Sequence, residues 1–202
     1  LPDVQRELME RVLAIGKPTV VVLLAGSSID LSVAEDRASA VFLAWYPGAR
    51  GGKAVADLLF GKRSPCGKLP VTFYHDEDLA HLPEFTDYSM KGRTYRYLDR
   101  KPLYPFGYGL TYADIRVLAA SAEKATDGGL VVRAQVQNLG AVASEDVVQL
   151  YLKAEDSPDS TPNPILSGFA RVHLDAGEAK EVALQVAPAS LSVVDDAGNR
   201  LF

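Results

Sequence analysis

The sequence predicts an α/β part followed by an all-β part, and three observations carry that prediction. Up to residue 75, apolar runs rich in β-branched residues alternate with amphipathic stretches. Residues 76–112 lose any sustained period and become dense in Tyr, Pro and Gly. From residue 113 on, short apolar stretches recur between turn residues, the pattern of an antiparallel sandwich.

Pro2-Asp3 opens a helix whose apolar stripe is Val4, Leu8, Val12 and Ile15, spaced i, i+4, i+8 and i+11. Gly16-Lys17-Pro18 stops it. Thr19 to Ala25 is a continuous β-branched run, as expected of a strand buried on both faces of a parallel sheet. Leu31 to Arg37 predicts a short helix and Ser39 to Trp45 a second strand. Gly52 to Phe60 predicts a helix with Val55, Leu58 and Leu59 on one face, and Leu69 to Tyr74 a further strand. The order is β-α-β-α-β, with helices covering a mostly parallel sheet.

Seven tyrosines fall between Tyr74 and Tyr112. A polar linker does not carry so many large rings, so this stretch is expected to be ordered and to cross a neighbouring surface. Further strands are predicted at Leu130–Val136, Asp146–Lys153, Ile165–Leu174 and Lys180–Val186. Turns at Asp127-Gly128-Gly129, Asn138-Leu139-Gly140, Ala176-Gly177-Glu178 and Ala197-Gly198-Asn199 separate them. That spacing suits a sandwich of fibronectin type III or immunoglobulin type. Its closing strand is expected to fall outside the chain, which ends at Phe202 soon after a turn.

Composition excludes several function classes. The 202 residues are 48% hydrophobic and 23% charged, enough to build a core. Net charge is -5 and no Lys/Arg-rich block occurs, so no nucleic-acid partner is expected. Cys66 is the single cysteine, which rules out an internal disulfide and a cysteine zinc site. The longest apolar run is too short to cross a bilayer, so no membrane partner is expected. The chain opens Leu1-Pro2-Asp3 without Met, so an N-terminal portion is expected to lie elsewhere.

Several motifs fail on inspection. Gly48-Ala-Arg-Gly-Gly-Lys53 stands where a phosphate loop would, but Pro47 and Ala54 occupy positions that need Gly and Ser or Thr. It reads better as a tight βα turn. Gly26-Ser27-Ser28-Ile29-Asp30 is not a nucleophile elbow. His75, His81 and His173 lack metal-ligand spacing. Asp76, Glu77, Asp78, Glu84 and Asp87 are close in sequence, and glycoside hydrolysis uses paired carboxylates, but a solvated acidic loop explains them better. Trp45, Tyr46 and the tyrosines from Tyr88 onward are aromatic faces that could stack on sugars or pack internally.

Ordered strings add a resemblance. They are Gly16-Lys-Pro-Thr-Val-Val-Val-Leu23, Ala44-Trp-Tyr-Pro-Gly48, Ala56-Asp-Leu-Leu-Phe-Gly61 and Ser64-Pro-Cys-Gly-Lys-Leu-Pro-Val-Thr-Phe73. They continue as Gly92-Arg-Thr-Tyr-Arg-Tyr97, Tyr104-Pro-Phe-Gly-Tyr-Gly109, Asp146-Val-Val-Gln-Leu-Tyr151 and Leu166-Ser-Gly-Phe-Ala-Arg-Val172. Together they resemble the C-terminal half of family 3 glycoside hydrolases, closest to the bacterial β-glucosidase/β-xylosidase branch. The resemblance implies the end of an α/β sandwich domain over residues 1–75, a Tyr-rich crossing over 76–112 and a fibronectin type III-like domain over 113–202.

It also implies a retaining exo-β-glycosidase acting on terminal β-D-glucosyl or β-D-xylosyl residues. Its nucleophile and acid/base would both precede Leu1, so no catalytic residue is assigned here. The implied partners are the N-terminal barrel portion of the same enzyme and β-glucoside or β-xyloside oligosaccharides. No cofactor or metal is implied. A periplasmic or secreted location is expected, with the cytoplasm as the alternative. Ligands of open parallel sheets gather at the carboxyl ends of strands. Ser27, Ser28, Trp45, Tyr46 and Arg50 leave such ends and are the substrate-rim candidates, joined by Tyr88 and Arg93 from the crossing. The competing function is a non-catalytic carbohydrate-binding or scaffolding module.

Overall fold

The computed structural model describes every residue except Asp156. Helix α1 runs Asp3–Ala14, started by Pro2, whose fixed φ suits a helix entry and whose carbonyl accepts the amides of Gln5 and Arg6 at 3.0 Å. Strand β1 (Val20–Leu23), helix α2 (Ser32–Arg37), strand β2 (Ala40–Leu43) and helix α3 (Gly51–Leu59) follow in the expected order. β1 and β2 pair in parallel, Val20 opposite Ala40 through Leu23 opposite Leu43. Leu23, Leu31, Ala34, Phe73 and Leu103 form the core of this part, with Met9, Val21, Val41 and Trp45 packed around it.

Two expectations for this part are corrected. The stripe Val4, Leu8, Val12 and Ile15 does not face the core; all four are exposed, and α1 buries Leu13 and packs Met9 inward instead. Residues 69–74 do not extend the parallel sheet. Phe73 exchanges backbone hydrogen bonds with Tyr104 in an antiparallel bridge, and Leu69 pairs with Gly107 and Tyr108. Pro70 explains this, because it has no amide to give to a sheet interior.

The crossing is ordered but nearly free of regular structure. It holds a 3₁₀ turn at Asp76–His81 and a one-turn helix α4 at Thr94–Tyr97. Its rings pack mostly within the chain. Tyr95 stacks on Phe106 at 4.2 Å and meets Tyr151 edge-on, and Tyr104 stacks on Tyr108 at 5.4 Å.

The remainder is a fibronectin type III-like sandwich. One sheet is β3 (Ile115–Lys124), β4 (Leu130–Asn138) and β7 (Ala179–Val186), antiparallel in the order β3-β4-β7. The other is β5 (Ser144–Leu152) against β6 (Ile165–Leu174). Alternate residues of β4, β6 and β7 fill the space between, notably Val136, Leu174 and Leu184. Asn138 is fully buried yet satisfied: its amide donates to the carbonyls of Val142 (2.8 Å) and Leu174 (3.3 Å), and its oxygen accepts Gly140 N–H. A short pair, β8 (Val193–Val194) and β9 (Arg200–Leu201), closes the chain.

A polar seam joins the two parts. Lys68 Nζ lies 2.7 Å from the Asp146 carboxylate on β5 and donates to the Gly109 carbonyl at 2.7 Å. Thr111 Oγ1 links Ser64 Oγ (2.8 Å) to Ser144 Oγ (2.6 Å). Arg171 on β6 pairs with Glu145 and reaches Cys66 Sγ at 2.9 Å. A Cβ at Gly109 would collide with the Gly67 carbonyl, so only glycine allows this approach.

Candidate functional site

The sheet rule places the candidate rim where β1 and β2 end. Gly26 follows β1, and the Tyr46 ring lies directly over it: a Cβ at 26 would come within 2.5 Å of the ring. The ring's hydroxyl edge lies against Gly26, and the residue is 82% exposed overall. Trp45, by contrast, turns inward. Its backbone is left-handed, φ 50°, a strained state for a bulky residue, and its ring meets Phe73 edge-on at 6.3 Å. The strain aims neighbouring rings apart, Trp45 into the core and Tyr46 outward.

Ser27, next after Gly26, is exposed, while Ser28 Oγ accepts Tyr74 N–H at 3.4 Å. Arg50 is exposed at the start of α3. The loop before it is a tight turn: a Cβ at Gly51 would come within 2.6 Å of the Pro47 ring. Arg93 and Tyr88 play different parts. Arg93 clamps the crossing by donating from Nη2 to the carbonyls of Pro83 (2.9 Å) and Glu84 (2.6 Å), while its buried Nε has no protein partner among the described residues. Tyr88 is 85% exposed. Ser27, Ser28, Trp45 and Tyr46 therefore gather at one end of the sheet, Arg50 opens the adjoining helix, and Tyr88 and Arg93 belong to the crossing.

Beside the rim is a polar network that spacing could not reveal, since the contacts joining its two halves span 43 and 46 residues of chain. Asp30 accepts Ser32 N–H at 2.8 Å and Asp76 N–H at 2.7 Å, and Ser32 Oγ is 3.1 Å from His75 Nδ1. Partial burial pushes the Asp30 carboxyl up, but hydrogen bonds from the Ser32 hydroxyl and from the Asp76 and Ser32 amides outweigh it and hold it below its ordinary value. Asp30, Glu35, Asp36, His75 and Glu77 border an open cleft of about 440 Å³. The one local signal was Asp30 standing two residues ahead of Ser32, an Asx-turn spacing.

Three of the five clustered carboxylates, Asp76, Asp78 and Asp87, are engaged in structure. Asp76 pairs with Arg6 at 2.7 Å. Asp78 is buried, accepts His75 N–H at 3.1 Å and lies 3.4 Å from Arg100. Asp87 accepts the Ser89 amide, which lowers its pKa. Among the described residues, no group of His, Cys, Asp or Glu side chains is arranged to hold a metal ion. No helix among them is long and apolar enough to cross a membrane.

Residues 1–112 match the glycosyl hydrolase family 3 C-terminal domain and residues 146–201 the fibronectin type III-like domain. The chain belongs to glycosyl hydrolase family 3.

Among its relatives, the xylan 1,4-beta-xylosidase of Xylanibacter ruminicola is 44% identical over 202 residues, covering 100% of this chain and 23% of that protein. The periplasmic beta-glucosidase of Salmonella typhimurium is 34% identical, covering 92% of this chain and 26% of that protein. Among solved structures, DesR, a beta-glucosidase from Streptomyces venezuelae in complex with D-glucose, superposes with a TM-score of 0.87 at 36% identity. That match covers 100% of this chain and 28% of DesR. The chain thus spans about a quarter of the length of the relatives it matches.

Proposed function

We propose that residues 1–202 are the C-terminal portion of a retaining exo-β-glycosidase that releases terminal β-D-glucosyl or β-D-xylosyl residues. The observation that carries this reading is the match along the whole chain to a beta-xylosidase and a beta-glucosidase some four times its length. In the retaining reaction one carboxylate attacks the anomeric carbon as the other protonates the departing oxygen. The second then takes a proton from water, which cleaves the glycosyl-enzyme bond. Both carboxylates belong to the N-terminal barrel portion and to residues ahead of Leu1. The barrel portion is this chain's partner.

The division at 75/76 and 112/113 fits this plan: the first cut precedes the 3₁₀ turn and the second precedes β3. Tyr46, Ser27 and Arg50 are the exposed groups offered to a sugar at the sheet end, with Tyr88 as a further ring. Ser28, Trp45 and Arg93 position their neighbours. A periplasmic or secreted location follows the Salmonella relative.

The test is turnover of aryl β-glucosides and aryl β-xylosides by the 202-residue chain and by the longer polypeptide containing it. The longer one hydrolyses at least one substrate with retention, and the short one hydrolyses neither. Saturable turnover by residues 1–202 alone, abolished by Asp30→Asn or Glu84→Gln, would overturn the assignment of the carboxylates.

A further inference from the structure

The crossing folds into a knot held under backbone strain. Met90, Gly92 and Thr94 are all left-handed, at φ 63°, 72° and 56°, and a β-branched threonine rarely adopts that state. Arg93 fastens the knot to the Pro83 and Glu84 carbonyls, and the Tyr74 hydroxyl accepts Thr94 N–H at 2.8 Å. Such strain persists only where the surroundings fix it, and it gathers at ligand clamps. Inside the knot is a cavity of about 170 Å³. That is several times the share of one water, roughly 30 Å³ in the liquid, and below the roughly 300 Å³ at which drug-sized pockets begin. Asp78 and Leu98 are its buried lining, and Asp87, Lys91, Asp99 and Arg100 are exposed around it. Asp78 Oδ2 accepts His75 N–H, but Oδ1 has only the Arg100 guanidinium, at a long 3.4 Å, among the described residues. A buried carboxylate lining the cavity therefore keeps accepting capacity to spare.

We propose that this cavity is a binding site for one small neutral polyol, a single monosaccharide unit. Its carboxylates only accept hydrogen bonds, and Lys91 and Arg100 only donate them. Sugar hydroxyls do both, so one ring can meet both sets at once. A hydroxyl donating to Asp78 also completes the partners of a buried charge, which is costly to leave short of them. Net charge argues the same way. Three aspartates stand with a lysine and an arginine around one opening, so a small anion meets carboxylates and a small cation meets Lys91 and Arg100. Among the described residues, no His, Cys, Asp or Glu group is arranged for a metal ion. A ligand without net charge escapes both repulsions. Leu82, Pro83 and Leu98 add an apolar side on which the C–H face of a sugar ring can lie.

Hydrogen exchange in the longer polypeptide containing residues 1–202 tests this, with D-glucose as the probe. Glucose slows amide exchange over residues 76–100 saturably, by about three-fold or more, because the knot must open before its amides exchange. Lys91→Ala and Asp99→Ala each raise the glucose concentration for half protection by about ten-fold. Both residues are exposed, so the variants keep the fold, which an unchanged melting temperature checks. Sodium phosphate gives no protection. Absence of a glucose effect over 76–100 would overturn the site. So would protection that either variant leaves unchanged, which would mark glucose bound elsewhere in the polypeptide. Protection by phosphate instead of glucose would overturn the ligand class. An active glycosidase without the glucose effect sinks this inference alone, whereas the effect in a polypeptide that hydrolyses neither aryl glycoside sinks the functional reading alone.

Discussion

The two halves of the molecule solve the burial problem differently. The sandwich closes on itself: β4, β6 and β7 bury every second residue, and even Asn138 finds partners for its amide inside. The α/β half has a real core around Phe73 and Leu31 but leaves α1, Leu24 and Phe60 with apolar surface in water. The half that looks finished carries no candidate site, and the half that looks unfinished carries the rim. Apolar burial is the main favourable term in folding. The sandwich therefore stabilises itself, while the α/β half draws part of its stability from the seam.

The largest expected effect tests that contrast directly. Leu174→Ala, at the centre of the sandwich, lowers stability by about 3–4 kcal/mol, whereas Leu8→Ala changes the 202-residue chain by about 0.5 kcal/mol or less. Urea unfolding monitored by circular dichroism measures both. Equal losses would erase the distinction between the halves.

The next effect probes the seam. Lys68→Met leaves Asp146 mostly buried without its cation, at a cost of about 2 kcal/mol. It should also split one unfolding transition into two, with the α/β half melting first. A single sharp transition in the variant would mean that the halves do not lean on each other through this pair.

A smaller effect follows pH. Asp30 has a lowered folded pKa, so its contribution is present above its ordinary value near 3.8 and is lost as pH falls through the lower folded value. Asp30→Asn costs about 1 kcal/mol at neutral pH and flattens the stability profile below pH 4. An unchanged acid limb in the variant would assign that limb to other carboxylates.

The smallest effect on stability is expected at Tyr46. Tyr46→Ala changes the melting of the chain very little, since the ring is largely exposed. In the longer enzyme it raises KM with little change in kcat, as loss of a stacking platform does. An unchanged KM would leave the ring without a role at the rim.

How far the sequence was legible depended on the kind of signal. Helix α1 announced both ends through Pro2 and Gly16, and its stripe was correctly grouped. Periodicity reports which residues share a face but not which face meets the core, so the stripe was aimed the wrong way. The parallel pair β1 and β2 was legible as β-branched runs, but Leu69 to Tyr74 had a similar composition and Pro70 made it something else. β3 escaped notice because Ala119, Ala120 and Ala122 blunt its pattern and nearly all of it is exposed. At the sheet end, the carboxyl-end rule brought Gly26 to Ser28 together with Tyr46, as the packing of the Tyr46 ring against Gly26 has it, whereas the Asp30–Ser32–His75 network exists only through folding.

The crossing leaves the α/β half after Phe73 and returns to it at Tyr104, where backbone hydrogen bonds tie the two stretches together. The intervening loop around Phe85 to Lys91 hangs outside that tie, with Phe85 and Tyr88 in solvent. A protease that cuts this loop would produce two bands on a denaturing gel yet a single native particle, because the pieces remain laced together across the break. The same loop is where the chain could be given new termini without altering the seam.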